Sequence, residues 1–220
     1  MKNLSLCFVT ILSLILLNAC DTGSLNQTAG SGNLKSESRN VPSFETIEAG
    51  GAIELEIVAN EADQSVKVEI DDNLLQFVKT EVISKTLRIE RTSNFKTSNP
   101  VRVKITMPKL INLTLSGASS AKISNLFGDK INFDISGASK TSVDGTTKTL
   151  TAKVSGASEL QAEDLKCEDV AVDASGASKA SVFAANSLGA KLSGASSMIY
   201  GGNPKTINKN VADASSLTSK

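Results

Sequence analysis

Residues 113–124 read LTLSGASSAKIS, and the tetrapeptide inside this stretch returns as ISGASK, VSGASE, ASGASK and LSGASS. Counted at their glycines, the copies stand at Gly117, Gly137, Gly156, Gly176 and Gly194. The steps are 20, 19, 20 and 18 residues, and a degenerate sixth copy, ADASS, sets Asp213 in the glycine position after a step of 19. A fixed period in this range marks a solenoid.

The flanks say which kind. Two residues before each glycine stand Leu115, Ile135, Val154, Ala174, Leu192 and Val211. Four before stand Leu113, Phe133, Ala152, Val172 and Ala190, until Lys209 breaks the column. Six before stand Ile111, Ile131, Leu150, Val170, Leu188 and Ile207. Past the motif, alternation resumes at Ala121, Thr141, Leu160, Ala180, Met198 and Leu217, then at Ile123, Val143, Ala162, Val182 and Tyr200. Apolar residues at every second position mean strands with one buried face. Helical coils need three-and-four spacing, which is absent. Each repeat therefore holds two short strands joined at SGAS, with room for a third near Leu126, Leu165 and Cys167.

Stacked strands of this kind predict an all-β chain, a parallel β-helix-like solenoid of about six coils. SGAS is then the corner. Glycine admits backbone angles closed to other residues, alanine would fill a narrow vertex, and serine hydroxyls can bond neighbouring backbone groups. An outward column three before the glycine reads Thr114, Asp134, Lys153, Asp173, Lys191. Its alternating signs suit a ladder of parallel neighbours.

Composition narrows the function classes. The 220 residues carry 23 basic and 23 acidic side chains and no histidine or tryptophan. This balance offers no field to steer nucleic acid, so no nucleic-acid partner is expected. Cys7, Cys20 and Cys167 form no disulfide framework and no metal-ligand spacing, so neither a metal nor another cofactor is expected.

The chain opens MKNLSLCFVTILSLILLNAC. Lys2 followed by a short apolar run has the form of a secretory signal and is too short for a comfortable span. LNAC resembles the bacterial lipobox, which implies a lipoprotein signal peptide over residues 1–19 and acylation of Cys20. The expected location is the cell envelope, lipid-anchored at the outer membrane, on its periplasmic face or at the cell surface. Residues 20–43, rich in Gly, Ser, Thr and Asn, read as a flexible tether spanning roughly 25 Å. Residues 44–109 carry alternating strands, a turn at Gly50–Gly51 and one helical turn in NLLQFVKTEV. They are expected to cap or begin the solenoid, whose regular repeats occupy residues 110–220, since an open end presents unpaired strand edges.

The order F..I...G.IELEI, V.V..DDNLL..V.TEV, TLRI, then V.V.IT.P.L..L.LSGAS, spread over about Phe44 to Ala214, resembles the head GIN domain family, also labelled a "putative auto-transporter adhesin". It is common in secreted and lipid-anchored proteins of Bacteroidetes-like bacteria. The resemblance implies a right-handed, mostly parallel β-helix-like fold.

Short matches to catalytic motifs lack the partners their chemistry needs. GASSA and GASKA look like half a nucleophile elbow, but the second glycine and any histidine base are missing. Ser93 and Lys96 have the SxxK spacing without companion motifs. Asp144, Glu163, Asp164, Glu168 and Asp169 spread along a flank and offer no evident acid–base pair. A binding surface for a repeating lattice is undercut by corners, which are poor flat surfaces. The expected function is therefore non-enzymatic: an adhesin-like interaction module with membrane contact through lipid on Cys20. A glycan ligand, a protein ligand and self-association into a homo-oligomer stay open. The competing reading is a polysaccharide-acting β-helix enzyme.

Overall fold

The computed structural model describes residues 27–220. It is 65% strand, and its regular part is a β-solenoid of about five turns. In chain order the first strands are β1 (Thr28–Ala29), β2 (Leu34–Ser38), β3 (Thr46–Ala49), β4 (Ile53–Ala59) and β5 (Ser65–Asp71). A single 3-10 turn at Leu75–Phe77 leads to β6 (Val78–Ile83), β7 (Thr86–Arg91), β8 (Phe95–Lys96) and β9 (Val101–Met107). The array then runs through β10 (Asn112–Leu115), β11 (Ser120–Ile135), β12 (Lys140–Val154), β13 (Glu159–Ala174) and β14 (Lys179–Leu192). It closes with β15 (Ser197–Gly202), β16 (Thr206–Val211) and β17 (Ser216–Ser219). Among the described residues, no helix is long and apolar enough to cross a membrane.

The regular coils pair in parallel with the register of the repeat. Leu113 lies beside Phe133, Phe133 beside Ala152, Ala152 beside Val172, and Val172 beside Ala190. All five are buried. One coil's bulk is thus answered by its neighbour's small side chain, which keeps the interior filled. Where the sequence suggests separate short strands, extended backbone continues through the gentler bends, giving strands of 14–16 residues in β11 to β14. Only SGAS breaks the strand. It alone needs left-handed backbone in every coil, with φ of 74–77° at its five glycines.

The segment before the array both starts the solenoid and caps it. β3 and β4 form a coil beneath β10 and β11. β7 and β9 form the coil beneath that, although they come later in sequence. The chain therefore steps back over β3–β4 to begin the array. β6 covers β7 antiparallel, and β5 covers β9 in the same way. These antiparallel strands close the edge that a parallel stack leaves open.

Of the stretch expected as a flexible tether over residues 20–43, residues 20–26 lie outside the described residues, and the remainder is held by strand pairing. β2 pairs antiparallel with β5, and β1 pairs with β8. Arg39 N donates to Val66 O at 2.8 Å, and its guanidinium reaches Leu75 O at 3.0 Å. Gly30, read as a tether residue, packs so closely that a Cβ there would overlap the Asp71 carboxylate. Polar composition misled the reading, because edge-strand pairing uses backbone groups and asks little of side chains. Cys20 and the leader expected over 1–19 lie outside the described residues.

Candidate functional site

The corner column is the most regular feature. Each glycine carbonyl accepts from the alanine N–H one coil on: Ala138 to Gly117 at 2.7 Å, Ala157 to Gly137 at 2.8 Å, Ala177 to Gly156 at 2.8 Å, Ala195 to Gly176 at 2.8 Å. The backbone ladder thus passes through the bend without a missing partner. The roles of the other corner residues differ from the expected ones. Alanine does not fill the vertex: Ala118, Ala138, Ala157, Ala177 and Ala195 are exposed. The second serine turns inward instead, and Ser119, Ser139, Ser158, Ser178 and Ser196 are all buried. Ser158 Oγ donates to Ser155 O at 2.7 Å, Ser178 Oγ to Val154 O at 3.1 Å, and Ser196 Oγ to Ala174 O at 3.3 Å. Inside the vertex the buried hydroxyl finds carbonyl acceptors: Val154 O and Ala174 O, already bonded to Ser175 N and Ser193 N, take it on a second lone pair.

The column also reaches beyond the repeat. Glu48 and Ala49 pair with Thr114 and Leu115, and Glu54 pairs with Ser120, so Gly51 occupies the same corner. Its φ is 85°. At the far end Asp213 takes the position with φ of 59°, and its carboxylate accepts from Gly194 N at 2.9 Å.

Two charge ladders flank this corner. The first continues the column seen in the sequence: Glu81, Arg88, Glu48, Thr114, Asp134, Lys153, Asp173 and Lys191 are successive neighbours. Arg88 meets Glu48 at 3.0 Å and Lys191 meets Asp173 at 3.1 Å. The second, on the other side, runs Glu69, Arg102, Glu54, Ser120, Lys140, Glu159 and Lys179. Lys140 meets Glu159 at 3.2 Å. Sequence reading missed the second ladder, although Lys140, Glu159 and Lys179 recur three residues past their glycines.

A third surface lies on the flank opposite the corner. There Phe127, Thr146, Lys166 and Phe183 are outward neighbours on successive coils. They line an open depression of about 490 Å³ with Asp129, Lys148 and Glu168. A larger depression of about 700 Å³ borders Gly50, Gly51, Arg88 and Arg91. Its cations are engaged: Arg88 with Glu48, and Arg91 with the carbonyls of Gly51 and Phe95.

Comparison with known proteins agrees with this architecture. The sequence matches the family described as "Putative auto-transporter adhesin, head GIN domain" over residues 43–204. The chain belongs to the head GIN domain family. Its fold is shared by a solved "putative adhesin" of Bacteroides fragilis, with a TM-score of 0.74 at 18% identity, over 87% of this chain and 99% of that one. A "putative adhesin" of Parabacteroides distasonis matches with a TM-score of 0.56 at 19% identity, over 88% and 100%. A "putative lipid binding protein" of the same species matches at 0.52 and 20% identity, over 88% and 99%. No protein with a curated description matches the sequence. Membership in an adhesin-like family points to the cell envelope or surface.

The chemistry candidates of this head GIN domain sit apart. Ser93 and Lys96 are exposed, and Lys96 pairs with Ala29 in a strand. Cys167 is buried and its thiol is pushed up to about 12 by burial, which makes it a poor nucleophile. Asp144 accepts from Asn125 N at 3.0 Å. Asp169 accepts from Asn186 and Ser187, and these bonds lower its pKa. Asp144 and Asp164 are neighbours on adjacent coils and border, with Glu163 and Lys122, a shallow depression of about 190 Å³, while Glu168 lines the depression beside Phe127. Among the described residues no group of three His, Cys, Asp or Glu is placed to hold a metal.

Proposed function

We propose that the protein is a non-enzymatic, adhesin-like interaction module, lipid-anchored through Cys20, that presents ordered columns of outward side chains. The observation that supports this is the disposition of the charges. In the array Asp129, Glu159 and Asp173 are paired with Lys148, Lys140 and Lys191, Asp144 and Asp169 accept hydrogen bonds, and the pKa values of Asp129 and Asp169 are lowered, as are those of Glu69, Asp71 and Glu81 in the cap. A glycosidase's general acid needs the opposite shift. Such a surface fits recognition by side chains on a rigid frame.

The anchor sets an orientation. Residues from Cys20 to the start of β1, at roughly 3.5 Å each, reach at most about 30 Å. β1 and β2 belong to the cap, so the cap is the tethered end and the SGAS coils are the end farther from the anchor. Substituting Cys20→Ala is expected to move the protein from the membrane fraction to the soluble fraction. Protease shaving of whole cells tests the outward face: loss of the domain while periplasmic markers survive supports surface display. For the interaction itself, cells carrying the protein are compared with deletion cells for attachment to glycan- and protein-coated surfaces. Equal attachment on every surface, or hydrolytic release of sugars lost on changing array carboxylates, counts against the reading.

A further inference from the structure

Strict alternation after Ile123 would turn Phe127 into the core. The structure turns it out. The pairing of β11 with β12 slips between Ile123 and Leu126, and Asn125 bulges with φ of 59°. Leu126 is consequently buried and Phe127 is 66% exposed, the largest exposure of any large apolar side chain described. Asp144 holds the bulge by accepting from Asn125 N at 3.0 Å. An extra residue that re-aims one side chain is a recurrent device next to binding sites. A core-size apolar side chain is thereby moved into solvent, where it adds nothing to the interior.

Phe127 does not stand alone. Three coils on, about 14 Å away along the axis, Phe183 faces the same way. Lys166 Nζ lies 4.1 Å from the Phe183 ring centroid, and Gly201 leaves the ring's other side free of a side chain on the next coil. On the coils between the rings lie Thr146 with Lys148 and Lys166 with Glu168, and Lys148 meets Asp129, beside Phe127, at 2.7 Å. The depression of about 490 Å³ combines an apolar platform with a few convergent donors and acceptors, as ligand sites do.

The same observations select the occupant. Each strand here is hydrogen-bonded on both sides by parallel neighbours, so an extended peptide has no free edge to join. Lys148 is balanced by Asp129, and Glu168 in the same lining offsets the charge of Lys166, which lies over Phe183. An acidic ligand or an anionic membrane therefore meets little uncompensated charge. What fits is a neutral molecule with an apolar C–H face for the ring and hydroxyls for Thr146, Asp129 and Lys148. We propose that the Phe127–Phe183 flank binds a neutral glycan chain, with Phe127 as the stacking platform. The proposal rests on the interaction-module reading above and gives it a ligand class.

The test uses full-length protein purified in detergent and a panel of neutral hexaoses: α-1,4- and β-1,4-glucose, β-1,4-mannose and β-1,4-N-acetylglucosamine. Hexagalacturonate, an extended peptide and anionic vesicles complete the panel. Saturation-transfer NMR and calorimetry are expected to show a neutral hexaose binding with Kd below about 1 mM, weakened at least about tenfold by Phe127→Ala. Phe127 is exposed, so its variant is expected to keep the wild-type melting curve. A Thr146→Ala variant gives a second reading at a surface position and is expected to weaken the same hexaose. Absence of neutral-hexaose binding, or binding unchanged in Phe127→Ala, overturns the proposal, as does preference for the acidic, peptide or vesicle probe. The attachment assay separates the two claims: attachment lost on deletion yet intact in Phe127→Ala leaves the module reading standing and removes this site.

Discussion

Gly137 sits directly over Gly117: a Cβ added at Gly137 would stand 2.4 Å from the Gly117 carbonyl oxygen. The corner glycine is therefore required twice, once by its left-handed backbone and once by the stacked chain. The gap opens along the array, to 2.5 Å at Gly156, 2.7 Å at Gly176 and 2.9 Å at Gly194. Gly137→Ala is expected to cost more than about 3 kcal/mol, since the left-handed penalty alone is about 1–2 kcal/mol. Gly194→Ala should cost clearly less. Urea unfolding of the four alanine variants reads this order, and equal losses at all four would show that only φ matters.

The charge ladder gives a salt-dependent test. Asp173 stands between Lys153 and Lys191. Asp173→Lys puts three like charges in register and is expected to destabilise by about 1 kcal/mol at low ionic strength. The loss should shrink in high salt, because these groups are solvent-exposed. Adding Lys191→Glu to the same chain should recover part of it. Melting curves at two salt concentrations measure both effects.

Two threonines occupy apolar positions. Thr141 and Thr147 are buried, and their hydroxyls have no hydrogen-bond partner. Thr141→Val removes an unpaired polar group at nearly constant volume and is expected to stabilise by about 1 kcal/mol. A fall in melting temperature would point to an ordered water bound at that hydroxyl.

The cap is where acid should act first. Asp71 is buried; Asn99 donates to it at 2.5 Å and Thr97 at 3.0 Å, and these bonds, with the Gly32 N–H, lower its pKa despite burial. A carboxylate held low stabilises the fold fully above its unfolded value, near pH 4, and that contribution fades as pH falls through the folded value. Asp71→Ala is expected to cost about 3 kcal/mol at neutral pH. Its deficit against wild type should narrow below about pH 4. Hydrogen exchange should show β1, β2 and β8 opening before the SGAS coils.

The columns around SGAS were legible because a stacked parallel array repeats its burial pattern coil by coil, so Leu113, Phe133, Ala152, Val172 and Ala190 align by counting. The first layers were not, because β7–β9 lies beneath β3–β4 against the order of the chain and no period survives that step. Gly51 read as a turn but not as part of the corner column for the same reason: it shares the corner in space while its serines are absent from the sequence. Gly30 read as flexible when it is a close contact on Asp71, and the distinction lies in a partner forty residues away. Phe127 was invisible as a surface residue because one bulge at Asn125 inverts the parity on which alternation depends. Within SGAS the residue types suggested a corner but not which side chain points in. That was decided in space, where carbonyls inside the bend can accept a second hydrogen bond from the hydroxyl of Ser158 or Ser178.

Cys167 tests the dryness of the interior. It lies in the inward column with Thr147 and Ala184, and burial pushes its thiol up to about 12. At pH 8 almost none is thiolate, and the surrounding coils exclude reagent. A thiol-specific disulfide reagent is therefore expected to label Cys167 only at the rate of unfolding, and to label it at once in denaturant. The labelling should be followed by mass spectrometry so that the modified residue is assigned to Cys167. Rapid native labelling of Cys167 would mean that the flank carrying Phe127 and Lys166 opens locally. The side chains of that flank would then be far less well ordered than glycan binding on a rigid frame requires.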